Sequence, residues 1–145
     1  MEKIESRMIL EILGRPAEHI VVALNEVIDK IGKEQGVKLV SRKVHEPKAL
    51  KDTKDLFTTF AEIEVEFDSV INCFRIVFTY LPANVEIISP ETFKMKNDDL
   101  NTLVNALAAR LHDYDSIAKR LVGEREILIN KLNEKKKDDK PAEKI

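Results

Sequence analysis

The sequence predicts an α+β domain followed by one long helix, with elements in the order β-α-β-β-α-β-α. Three observations carry this. Along Phe57 to Phe67 one parity is apolar but for Thr59 while the other carries Glu62, Glu64 and Glu66, the period of a half-buried strand. Apolar residues recur at helical spacing after Pro16 and again after Ser69, as amphipathic helices require. From Leu100 to Leu132, positions separated by alternating steps of four and three are apolar with the single exception of Arg125, the heptad spacing of a helix that faces a partner.

The elements follow in order. Arg7 to Leu13 is β-competent and stops at Gly14, and Arg15-Pro16 then opens a helix, because proline is tolerated in a first helical turn. Ile20, Leu24, Val27, Ile28 and Ile31 form one face of that helix, and Gly32 and Gly36 are its expected stops. Val37 to Val44 reads as a second strand closed by His45-Glu46-Pro47, and the charged, aperiodic stretch Lys48 to Asp55 reads as an exposed loop. In the strand Phe57 to Phe67, one parity (Phe57, Thr59, Ala61, Ile63, Val65, Phe67) belongs to a core and the other carries Glu62, Glu64 and Glu66.

Asp68 or Ser69 can cap a short helix whose buried face is expected at Val70, Ile71, Phe74, Val77, Phe78 and Leu81, ended by Pro82. Val85 to Ile88 gives the last strand before Pro90. Asn97 or Asp98 then caps the long helix, with Asp98 and Asp99 in its first turn, where carboxylates favour the helix dipole. Run to about Asn133, that helix would be ~54 Å long at ~1.5 Å per residue. Residues 1-96 are thus expected as one body, 97-133 as the helix, and 134-145, with five lysines, four acids and a proline, as a disordered tail.

A β-α-β-β-α-β order is the ferredoxin-like arrangement, a four-stranded antiparallel sheet with two helices on one face. At that level Arg7 to Pro90 resembles small regulatory domains of the ACT type, whose first strand leads through a Gly/Pro turn into the first helix, as Leu13-Gly14-Arg15-Pro16 does here. The resemblance covers about two-thirds of the chain. It implies a regulatory role and a small ligand at the turn, with Gly14, Arg15 and His19 as the residues nearest to it. ACT-type turns usually carry a further glycine just after the proline, where this chain has Ala17.

Composition bounds the function. The chain has 145 residues, enough for a real core without metals or disulfides, and 34% of them are charged with a formal net charge of only −2. There is no field to gather nucleic acid or anionic lipid. One cysteine, Cys73, forms no internal disulfide and no metal spacing, which agrees with a reducing compartment such as the cytoplasm. Met8 to Leu13 is too short an apolar run for a signal core or a membrane span.

No catalytic motif is present. Gly14 belongs to no phosphate-binding loop, and His19, His45 and His112 lie in three different elements without metal spacing. Glu11, Glu62, Glu64 and Glu66, with Glu86 entering from the last strand, share the presumed open sheet face and could hold Mg²⁺ or Mn²⁺ in a phosphoryl-transfer enzyme. The simpler expectation is a solvated face, partly paired with Lys38 and Arg42, and three carboxylates on one central strand repel nucleic acid. No metal or other cofactor is expected.

The helix is the most specific feature. Leu107, Leu111, Tyr114, Ala118, Leu121, Arg125, Leu128 and Leu132 are the expected association residues, while Leu103, Ile117, Val122 and Ile129 broaden the stripe. Leu100 to Leu111 is expected to close the body and Tyr114 to Leu132 to meet another copy or a helical partner. The alternative is a break at Gly123, with the helix packing back on its own body. The expected function is a non-enzymatic interaction, scaffold or regulatory module that forms a homodimer through this helix.

Overall fold

The computed structural model describes residues 3–139, which form two compact units that divide after Met95. The first is built from β1 (Ile4–Gly14), α1 (Ala17–Lys33), β2 (Val37–Val44), β3 (Lys48–Ala49), β4 (Phe57–Phe67), α2 (Val70–Tyr80) and β5 (Asn84–Ser89); the second holds α3 (Asn97–Asp138).

The long strands take the order β2-β4-β1-β5, every neighbour antiparallel, and the two-residue β3 adds itself beside β4. This is the ferredoxin-like sandwich that the element order predicts. The central pair runs in register from Ile4 opposite Phe67 to Gly14 opposite Phe57. One face supplies the core: Met8, Leu10, Ile63, Val65 and Phe67 from the central strands meet Leu24, Ile28 and Ile31 of α1 and Cys73 and Ile76 of α2. Two buried hydroxyls on that face are satisfied by carbonyls, Ser6 Oγ donating to Val65 O at 3.0 Å and Thr59 Oγ1 to His45 O at 2.7 Å.

Several boundaries differ from those read in the sequence. β1 begins at Ile4 rather than Arg7, because Ile4 and Ser6 continue the buried parity opposite Phe67 and Val65. α1 runs through Gly32 to Lys33 with Pro16 at its N-cap. Its stop is instead the turn before β2, where Gly36 takes φ +73°, a conformation open to glycine. Gly14 serves a different need: a Cβ there would lie 2.9 Å from Ile20 Cγ2, so its absence lets α1 pack closely against the strand end. The stretch Lys48 to Asp55 is not all loop, since Lys48 and Ala49 pair with Thr58 and Phe57.

Ser69 caps α2 by accepting from Asn72 N at 3.2 Å, but the helix is rotated from the expected face. Cys73 and Ile76 are buried, with Val70, Val77 and Tyr80 half-buried beside them, while Ile71 is exposed and Phe74 and Phe78 sit at the margin. Phe74 and Phe78 pack on each other instead, edge to face at 5.8 Å between centroids.

α3 spans 42 residues, about 63 Å at ~1.5 Å per residue. Lys96, not Asn97 or Asp98, occupies its N-cap, although Asp98 and Asp99 do lie in the first turn. The helix passes Gly123 without interruption and continues five residues beyond Asn133 to Asp138, with Lys135, Lys136 and Lys137 in its last turn. The alternative of a break at Gly123 is therefore not what the helix shows. Residues 140–145 of the expected disordered tail lie outside the described residues.

Candidate functional site: an exposed helical seam and an acidic sheet face

Along α3 the heptad positions stand open to solvent. Fractional exposure is 42% for Leu107, 57% for Leu111, 45% for Tyr114, 54% for Leu121, 60% for Leu128 and 59% for Leu132. Ala118 and Arg125 are likewise exposed. Leu100, Val104, Ile117, Val122 and Ile129 extend the same apolar stripe. A contiguous run of large apolar side chains in water is costly. Polar side chains pair along the helix: Lys119 pairs with Asp115 at 2.8 Å, and Arg110 donates Nε–H to the Tyr114 hydroxyl at 3.1 Å.

On the open face of the sheet, the glutamates do not converge on a common point. Ile9 stands opposite Glu62, Arg7 opposite Glu64 and Glu5 opposite Glu66, so Glu11 faces Phe60. Arg7 lies between Glu64 and Glu86, 3.6 Å from one carboxylate and 3.8 Å from the other. Lys3 approaches Glu66 at 3.9 Å and His45 Nε2 approaches Glu62 at 3.7 Å. Among the described residues no three His, Cys, Asp or Glu side chains lie close enough to hold a metal ion. Thr58 donates its hydroxyl to Glu11 at 3.1 Å. A hollow of about 130 Å³ lies among Glu5, Val40, Glu64, Glu66 and Ile88, too shallow to enclose a small molecule.

The expected pairing of the glutamates with Arg42 is not formed. The register of β2 against β4 slips between Leu39 and Ser41, leaving Val40 unpaired. One extra residue turns every later side chain to the opposite face. Lys38 thus stands opposite Glu66 and Lys43 opposite Glu62, whereas Arg42 is sent to the helix side, donating to Asp29 and Asn25 of α1.

At the Gly14 turn, Arg15 and His19 are exposed. The His19 amide donates to Pro16 O at 3.1 Å, and neither side chain makes a hydrogen bond or ion pair among the described residues. His45 is better fixed: its ring stacks on Phe60 at 4.1 Å and 20°, and its Nε2 is buried without a hydrogen-bond partner among the described residues.

Sequence reasoning missed the polar cluster that ties α1 to α2. Arg75 donates to Glu34 Oε2 at 2.9 Å and to Gln35 O at 2.7 Å, and the Tyr80 hydroxyl donates to Glu34 Oε1 at 2.8 Å. The Tyr80 hydrogen bond, and then Arg75, hold Glu34 below its ordinary carboxylate value. Burial, and then Glu34, push Tyr80 above its ordinary phenol value. Arg75 is the only basic residue on α2, and that isolation was the available signal. Burial pushes the Cys73 thiol up to about 11, and the side chain packs into the core.

No described helix is long and apolar enough to cross a membrane. No curated protein matches the sequence. A family model does match, over residues 5–116, from the first residues of β1 to a point within α3. A match of that extent settles kinship: the chain belongs to the MJ0538 family.

Proposed function

We propose that this protein is a non-enzymatic, cytoplasmic module that self-associates through α3 and serves as a scaffold or regulatory domain. One observation carries the reading: an unbroken helix of 42 residues presents a heptad seam whose large side chains are 42–60% exposed. Such a seam is buried by a helix with matching spacing, and a second copy supplies one. The ferredoxin-like body fits a regulatory role, because its Leu13-Gly14-Arg15-Pro16 turn resembles that of ACT-type domains. A single thiol held neutral inside the fold suits a reducing compartment.

Light scattering on the full chain tests it. At tens of micromolar the expected mass is that of a dimer, and truncation after Asp113 reduces it to a monomer. A full chain that stays monomeric overturns the proposal.

A further inference from the structure

We propose that α3 pairs with the α3 of a second copy in antiparallel orientation, the two helices overlapping end to end and crossing their two-fold axis near Ser116. This rests on the self-association reading and adds orientation and register to it.

Three features choose between the two ways of pairing one seam with itself. Arg125 is the first. A parallel pair places each seam residue beside its own copy, which brings two Arg125 guanidinium groups into one layer. The antiparallel pair moves them about 27 Å apart along the axis, at ~1.5 Å per residue. It sets Arg125 across from the partner's Leu107, whose neighbours Ala106, Ala108 and Ala109 are small. The arginine stem can then lie over them with its charge in water.

Volume is the second. A parallel pair stacks Tyr114 on Tyr114 and leaves Ala118 beside Ala118, one layer overfilled and the next empty. In the antiparallel pair, Tyr114 meets the partner's Ala118 on both sides of the axis and Leu111 meets the partner's Leu121, so each layer has similar volume.

Charge is the third. α3 has Asp98 and Asp99 in its first turn and Lys135, Lys136 and Lys137 in its last. Parallel helices crowd the lysines together, whereas antiparallel ones bring the acidic end of each against the basic end of the other. Arg110 and Glu124 lie on the same flank of the seam, and this register sets Arg110 beside the partner's Glu124. One contact opposes it, Asp115 beside the partner's Asp115 near the axis. That repulsion is offset because each Asp115 is held by its own Lys119 at 2.8 Å.

The test measures spin-label distances between two copies of the full chain carrying Cys73→Ala. A single new cysteine is placed at the exposed outer positions Thr102→Cys, Ser116→Cys or Asn130→Cys, and light scattering confirms the mass of each variant. The expected result is a short distance for Ser116→Cys, and for the other two a separation that includes an axial offset of about 42 Å at ~1.5 Å per residue. Mixing Thr102→Cys with Asn130→Cys chains restores a short distance. Dimers with the same short distance at all three positions overturn the orientation while leaving self-association intact. A shortest distance away from Ser116 overturns the register, and monomers overturn the underlying reading as well.

Discussion

Glu34 shows what single side chains contribute. Because Tyr80 and Arg75 hold its folded value below the ordinary one, its contribution is complete above the carboxylate range and is lost as the pH falls through the folded value. Denaturant midpoints of the native chain and Glu34→Gln should therefore differ at pH 7 and converge towards about pH 3. Tyr80 has the opposite sign. Its raised value means stability that is present at neutral pH and lost as the pH rises through the folded value. Cys73 behaves likewise, with a folded value of about 11, and a thiol reagent should react slowly with the native chain and quickly after unfolding. At Gly36, alanine would face both the positive φ of 73° and a clash with the Asn72 side-chain amide. Gly36→Ala should cost on the order of 1–3 kcal/mol in chemical denaturation.

Among the elements, β4 is the most exacting. Ile63 is wholly buried between the sheet and the helices, so Ile63→Ala should lower unfolding free energy by about 2–5 kcal/mol. β4 was also the most legible, because strict alternation from Ala61 to Phe67 needs no knowledge of its neighbours. The same period failed in β2. Nothing in Val37 to Val44 announces that Val40 is unpaired, and that residue alone decides that Arg42 reaches Asp29 while Lys43 faces Glu62. The Glu34 cluster was illegible for a related reason: Glu34 and Arg75 are far apart in the chain and meet only once α1 and α2 lie side by side. For α3 the seam was plain, and the alternative of a break at Gly123 does not occur. Because a Cβ at Gly123 would meet nothing within 4 Å apart from its own stretch of helix backbone, Gly123→Ala should raise helix stability by ~1 kcal/mol, visible as a higher melting temperature by circular dichroism. Arg125→Leu removes the one charge from the seam and should tighten self-association about tenfold, or about 1.4 kcal/mol, in sedimentation analysis.

At the scale of the molecule, association couples stability to concentration. If the seam is buried by a second copy, the melting temperature should rise with protein concentration. The paired change Leu111→Asp with Leu121→Asp should abolish that rise, which calorimetry at several concentrations would read. The family match extends past the body into α3 as far as residue 116, so the start of the helix belongs to the shared sequence as much as the sheet does. The slip at Val40 has one more consequence. β2 and β5 are the outer strands of the sheet, and an unpaired outer strand is an invitation to polymerise. β2 meets it with the bulge at Val40 and with Lys38 and Lys43; β5 is six residues long, lies between Pro82 and Pro90, and pairs with β1 through a second irregularity at Glu5. Both rims of the sheet thus resist strand addition and open-ended fibre growth.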